Sequence, residues 1–151
     1  MQFFSGFCLN GEESLFDAFL PMEGNFVAGF SYGCIAATRY ALAHEDVKRL
    51  ILLSPAYYTH KDDEFKRMQL EVFIGDKDLY ALKLLKKSGL AADEGTRYAK
   101  LGTATELEEL LGFNWSKAGL EALVDRGVAI EVFIGTADRV VEPLASKEFF
   151  E

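Results

Sequence analysis

Cysteine is scarce in this sequence: Cys8 and Cys34 are the two in 151 residues. Two thiols cannot make a disulfide framework, so the fold must rest on an apolar core and both are expected to be reduced. Long apolar runs are missing as well. No stretch approaches the roughly 18 residues that cross a bilayer, and Met1-Gln2-Phe3-Phe4 has neither the basic flank nor the length of a secretory signal. A soluble, cytoplasmic protein is expected. Positive charge is also short, with 16 Lys and Arg against 24 Asp and Glu and a formal net charge of -8. Binding nucleic acid or an anionic membrane requires a basic face, so neither is an expected partner. No metal or other cofactor is expected, and a monomer is the default.

What remains is rich in core-forming residues. Half of the chain is apolar and 13 residues are Phe, enough to bury the core of one domain spanning 1–151. Gln2-Phe3-Phe4 reads as a short buried strand that breaks at Ser5-Gly6-Phe7-Cys8. Glu12 to Leu20 carries Leu15, Phe16, Phe19 and Leu20 at helical spacing, and Pro21 closes it. Phe26 to Phe30 is a second buried strand, followed by a helix from Tyr32 to His44 whose alanines and glycine allow close approach to a sheet. Val47 to Leu53 is a third strand, stopped by Ser54-Pro55. Unbroken apolar strands alternating with helices predict an α/β fold with a short, mostly parallel sheet and helices on both faces.

The stretch from about 62 to 126 is charged, glycine-punctuated and mostly helical, and stands where a lid would be inserted. Nine of the 16 basic residues lie between Lys61 and Lys100, so a local basic patch is possible despite the overall charge. The sheet pattern resumes at Val128 to Ile134, and a last helix starts near Pro143. Glu71-Val72-Phe73-Ile74-Gly75 is repeated as Glu131-Val132-Phe133-Ile134-Gly135. The first copy continues from Phe65 and Met68 without a strand boundary and is assigned to a lid helix. The second follows Gly127 and is assigned to a strand. One five-residue match is weak evidence for a duplication.

The chemistry gathers at Gly29-Phe30-Ser31-Tyr32-Gly33. In a nucleophile elbow the serine occupies a tight turn between strand and helix, and glycines flank it because side chains there would strike the neighbouring backbone. Gly-x-Ser-x-Gly arises by chance in about one chain of this length in twenty, so its setting between a strand and a small-residue helix carries the weight. Ser31 is the expected nucleophile; the alternative is a helix-capping serine in a plain turn. The oxyanion donors of such a site are the amide after the nucleophile, here Tyr32, and one from the loop after an earlier strand, here Phe7. Cys8 and Cys34 have no elbow and no basic surroundings. Chain order then asks for an acid after a late strand, which points to Asp138, with Asp76 and Asp78 poorer choices. A histidine should follow, and none lies between Arg139 and Glu151. His44 reads as a cap on its helix. His60, seven residues past the third strand, is the one histidine placed to approach Ser31. The expectation is that the terminal strand and its histidine loop lie outside these residues.

Several segments together resemble one family. Phe3-Phe4-Ser5-Gly6-Phe7, Gly29-Phe30-Ser31-Tyr32-Gly33, Leu53-Ser54-Pro55, His60-Lys61 with Phe65 to Leu70, and Gly127 to Gly135 with Asp138 are similar to the short, BioV-type pimeloyl-acyl-carrier-protein methyl ester esterases of biotin synthesis. Ser5-Gly6-Phe7-Cys8-Leu9-Asn10 stands where longer esterases of that pathway have His-Gly-Trp-Gly-Leu-Asn, with serine replacing histidine. The resemblance implies a minimal α/β-hydrolase with a helical lid. It implies Ser31 as nucleophile, Asp138 as acid, and Phe7 and Tyr32 as oxyanion donors. The implied reaction is hydrolysis of the methyl ester on a pimeloyl chain carried by acyl carrier protein. That partner is acidic, so Lys66 and Arg67 in the lid are candidates for docking it, with Lys61, Lys83, Lys86, Lys87, Arg97 and Lys100 around them. Phe65, Met68, Leu70 and Phe73 are candidates for an acyl channel. The elbow alone also admits a thioesterase or general short-chain esterase, and the missing histidine admits a non-catalytic acyl or carrier-protein binding module.

Overall fold

The computed structural model describes residues 1–88, 92–135 and 140–151, without the side chains of 92, 94 and 95. Four strands, β1 (Gln2–Phe4), β2 (Phe26–Phe30), β3 (Arg49–Leu53) and β4 (Ala129–Phe133), form one all-parallel sheet in the order β1-β2-β3-β4. Helix α1 (Gly33–Ala43) links β2 to β3. Between β3 and β4 lie α2 (Asp63–Gly75), α3 (Lys77–Lys87), α4 (Ala92–Tyr98), α5 (Ala104–Gly112) and α6 (Lys117–Asp125), and α7 (Pro143–Phe150) follows β4. Among the described residues no helix is long and apolar enough to cross a membrane.

Strand periodicity divides the core into two layers. Val27, Leu50 and Leu52 point to one face, where they meet Ile35, Ala37 and Ala41 of α1, Leu123 of α6 and the aromatics Phe149 and Phe150 of α7. Phe26, Ala28, Ile51 and Leu53 point to the other face. That second face is covered thinly. The expected helix over Glu12 to Leu20 is a 3-10 segment over Glu12–Phe16 followed by turns, and Phe16 stacks on Phe3 and Phe30 while Phe19 reaches Phe133. Steps from β1 to β2 and from β2 to β3 go the same way across the sheet on opposite faces, so the two connections have opposite hand. One hand dominates such crossovers, so one of these two connections departs from the rule.

The helical insertion is not uniform. Helices α2 and α5 form their own apolar layer with Phe7, in which Phe73, Leu107, Leu110 and Leu111 are buried. Helix α6, read from sequence as part of the insertion, instead packs on the sheet through Leu123 and works as the crossover helix into β4. Caps explain the breaks. Asp62 accepts from Phe65 N–H, Asp76 from Leu79 N–H, and Thr103 with Glu106 forms a reciprocal capping box.

Candidate active site

All four strands end at one rim, and the residues just past them line a single cavity of about 970 Å³: Gly6 and Phe7 after β1, Ser31 after β2, Ser54 after β3 and Gly135 after β4. Parallel sheets present their carboxyl ends together, so one rim collects loops from every strand. Helices α2, α3 and α5 roof this space with Phe65, Val72, Tyr80, Leu84, Leu107 and Leu110.

Ser31 turns the chain with φ 53°, in the left-handed region that non-glycine residues avoid. Such a conformation costs about 1–2 kcal/mol, and three hydrogen bonds hold it. Ser31 N–H donates to Leu53 C=O (2.9 Å), while its own C=O accepts from Cys34 N–H and Ala56 N–H (each 3.1 Å). The flanking glycines are needed for space. A Cβ on Gly33 would lie 2.0 Å from Phe4 O, and one on Gly29 would lie 2.4 Å from Gly33 O. This is the strained strand-to-helix turn that the motif predicts, including the reason for each glycine. Among the described residues, Ser31 Oγ makes no hydrogen bond.

Of the expected oxyanion donors, Tyr32 follows that serine in the chain and Phe7 lines the same cavity. Neither Phe7 N–H nor Tyr32 N–H donates to an acceptor among the described residues, so both amides are free for a ligand. Their side chains are anchored away from the turn. The Phe7 ring packs edge-on to Tyr32 at 6.3 Å and lies 5.7 Å from Phe73. Tyr32 O–H donates to Glu109 of α5 (2.8 Å), which also pairs with Arg39 (3.0 Å). Arg39, then Tyr32, hold the Glu109 carboxyl below its ordinary range, and burial followed by Glu109 pushes the Tyr32 phenol up. Tyr32 therefore stays a neutral donor that ties the elbow to the roof.

His60 lines the same cavity as Ser31, but its partner is a residue that sequence reasoning did not select. Its Nε2 lies 3.1 Å from Glu142 Oε2, and Lys61 donates to the other oxygen at 2.6 Å. Lys61 first, then His60, hold the Glu142 carboxyl below its ordinary range. Glu142 is the residue before α7, some eighty positions away, so no local motif announces the pair. Asp138 lies outside the described residues. His44 is the cap expected of it, with Nδ1 2.8 Å from Tyr40 C=O and its ring stacked on Tyr40.

The two thiols are unsuited to nucleophilic work. Burial pushes both up, and Cys34 is wholly enclosed, with its Sγ 3.0 Å from Gly29 C=O. Among the described residues, the lysines that line the cavity are Lys61, Lys83 and Lys87. Lys66 and Arg67, the expected docking pair, are outside the lining; Arg67 pairs with Glu71 on the surface of α2. Of the expected channel residues, Phe65 lines the cavity, Met68 is exposed, Leu70 is half-buried and Phe73 is core. Burial also pushes the Tyr80 phenol up to about 12, so it remains a neutral donor to Gln69 within the lining.

Besides Glu142, two positions drew no site reading from the sequence. Ser54 shares the left-handed conformation (φ 44°) at the next strand end, a position marked only by its place before Pro55. Glu12 is fully buried and accepts from Gly6 N–H at 2.8 Å; the first of two adjacent acids at the start of an expected helix gives no sign of that. Among the described residues no group of His, Cys, Asp and Glu is placed to hold a metal ion. No family model matches the chain, and no match is found among curated proteins or among solved structures.

Proposed function

We propose that this protein is a serine carboxylesterase of the α/β-hydrolase type, with α2, α3 and α5 as its lid. On the resemblance drawn from its motifs, the substrate is the methyl ester of a pimeloyl chain on acyl carrier protein. One observation carries the reading: a serine held at φ 53° opens into a cavity of about 970 Å³ with a largely apolar roof. Ser31 Oγ attacks the ester carbonyl, and the Phe7 and Tyr32 amides receive the oxyanion. Methanol leaves, and water then releases the free acid from the acyl-enzyme. Asp138 is the proposed acid that orients a histidine base. An unbranched acyl chain suits the Phe65, Leu84 and Leu107 walls. Lys61, Lys83 and Lys87 suit an acidic carrier at the mouth, with Lys66 and Arg67 as outer docking residues.

A second reading, an acyl-binding module without catalysis, is favoured by the lack of a hydrogen-bonded base on Ser31 Oγ among the described residues. Fluorophosphonate labelling separates the two. The esterase reading expects label on the wild type and none on Ser31→Ala; a wild type that takes no label leaves the binding module. His60→Ala adds the identity of the base, because labelling that survives it excludes His60. Replacing Lys66 and Arg67 by Glu is expected to slow hydrolysis of a carrier-bound ester and spare a small soluble one.

A further inference from the structure

Glu12 is out of place by every ordinary rule. It is 0% exposed, one oxygen accepts from Gly6 N–H at 2.8 Å, and the other has no hydrogen-bond partner among the described residues. A carboxyl group buried with half of its acceptor capacity unmet destabilises the fold relative to an apolar residue of similar size. Its position has a simple origin. Gly11, at φ 76°, reverses the chain so that the first residue of the 3-10 segment points back at the loop after β1.

That loop carries the Phe7 amide. Two peptide planes meet at the Cα of Gly6. The first ends in Gly6 N–H, which Glu12 holds. The second contains Gly6 C=O, which accepts from Leu9 N–H at 3.1 Å, together with Phe7 N–H on the opposite side of the same trans peptide. Glycine has the widest choice of backbone angles, and a side chain cannot restrict it here because a Cβ would lie 2.9 Å from the Phe30 ring. Holding one plane through Leu9 leaves rotation at Gly6 open; holding both closes it. Further along, Asn10 N–H donates to Tyr98 C=O and Lys100 N–H to Cys8 C=O, so the far end of the loop is already tied down. Glu12 supplies the tie at the near end.

We propose that Glu12 is a positioning residue for the oxyanion loop: by accepting the Gly6 N–H, its carboxyl group fixes the first of the two planes and so closes rotation at Gly6, next to the peptide that presents the Phe7 N–H. This rests on the esterase reading, since it gives the Phe7 amide its purpose. Oxyanion donors act through prior alignment, and a displacement of about 1 Å can cost about a hundredfold in rate.

Three proteins test it: the wild type, Glu12→Gln, which keeps an acceptor oxygen at the same reach, and Glu12→Asp, which keeps the carboxyl group but withdraws it by one methylene. Amide hydrogen exchange followed by NMR is read first, with melting curves confirming that each variant is folded. Gly6 N–H in the wild type and in Glu12→Gln is expected to exchange more slowly than Phe7 N–H, with Gly6 protection falling about tenfold in Glu12→Asp. Fluorophosphonate kinetics are read second. In Glu12→Asp, kinact is expected to fall about tenfold to a hundredfold with KI unchanged, and Glu12→Gln to retain both. Equal loss in the two variants, or none in either, overturns the proposal. The order of Gly6 and Phe7 exchange in the wild type needs no variant, and a reversed order overturns it alone. A wild type that exchanges as expected but takes no label removes the esterase reading, while the anchoring of Gly6 by Glu12 stands.

Discussion

Glu-Val-Phe-Ile-Gly occurs twice in this chain, at 71–75 as the end of α2 and at 131–135 as the last three residues of β4 and the two that follow it. Identical residues therefore adopt two backbones, and the difference comes from what surrounds each copy. Before the first stands an Asp62-capped run in which Phe65, Gln69, Leu70 and Phe73 share a helical face towards the Phe7 layer; Phe73 is fully buried while Val72 and Ile74 are more than half exposed. Before the second stands Gly127 at φ 91°, which turns α6 into an extended segment beside β3. There the same residues alternate, with Val132 towards α1 and α6 and Phe133 towards the 3-10 segment. Local propensity is nearly balanced in such a pentapeptide, so the face that can be buried decides.

The largest contrast is expected at the central phenylalanine. Phe73 is 0% exposed between Phe7, Tyr80 and the leucines of α5, so Phe73→Ala leaves a cavity and is expected to cost about 3–5 kcal/mol. Phe133 is half-buried under Phe19, which is itself 46% exposed, and Phe133→Ala is expected to cost about 1–2 kcal/mol. Denaturant unfolding of the two variants checks this. Equal losses would mean that the α2–α5 layer is no firmer than the thinly covered sheet face.

The same contrast explains what was legible from the residues. Strands β1 to β4, helix α1 and the elbow were readable because each is a local pattern: an apolar run, a small-residue helix, glycines two positions either side of a serine. The helical state of 71–75 was readable too, from the absence of a boundary before it. Features that depend on distant partners were not. Nothing near Glu12 announces that a glycine amide six positions earlier will hold it, and nothing near His60 announces Glu142. The separate role of α6 was hidden because an amphipathic helix has the same pattern whether its apolar face meets a sheet or another helix. Lys83 and Lys87 line the cavity, and Lys66 and Arg67 do not, a difference between helix faces that charge counting cannot reveal.

Proline sharpens the comparison at the backbone. Val72→Pro would remove a bond inside α2 and drive its ring into the carbonyl of Met68, an expected loss of about 3 kcal/mol. At Val132 the ladder gives a different answer. Ala129 N–H donates to Lys48 C=O and Ser54 N–H to Phe133 C=O, which places the odd-numbered N–H groups of β4 towards β3. The Val132 N–H faces the other edge, where no strand lies among the described residues. Val132→Pro therefore breaks no ladder bond and is expected to cost about 1–2 kcal/mol, from lost side-chain packing. Far-ultraviolet circular dichroism on melting distinguishes them, and a larger loss at Val132 would mean that this edge is paired in solution.

The smallest contrast lies in the glutamates, where both copies form an ion pair with an arginine. Glu71 pairs with Arg67 one turn earlier on side chains 64% and 69% exposed, whereas Glu131 pairs with Arg49 across β3 and β4 on side chains 35% and 42% exposed. Water screens the first pair more. Its order is also the weaker one, since a glutamate C-terminal to its cation sits nearer the negative end of the helix dipole. Double-mutant cycles with alanine are expected to give a coupling of at most about 0.3 kcal/mol for Arg67–Glu71 and about 0.5–1 kcal/mol for Arg49–Glu131. Both should shrink in 1 M salt, where the screening length falls to about 3 Å. Arg49 and Glu131 are diagonal neighbours on the thinly covered sheet face, so their coupling also reports whether that face is as sheltered in solution as the 3-10 segment would make it. A coupling as small as that of Arg67–Glu71 would mean that Phe16 and Phe19 leave the sheet open to water, and the two glutamates would then differ in backbone but not in environment.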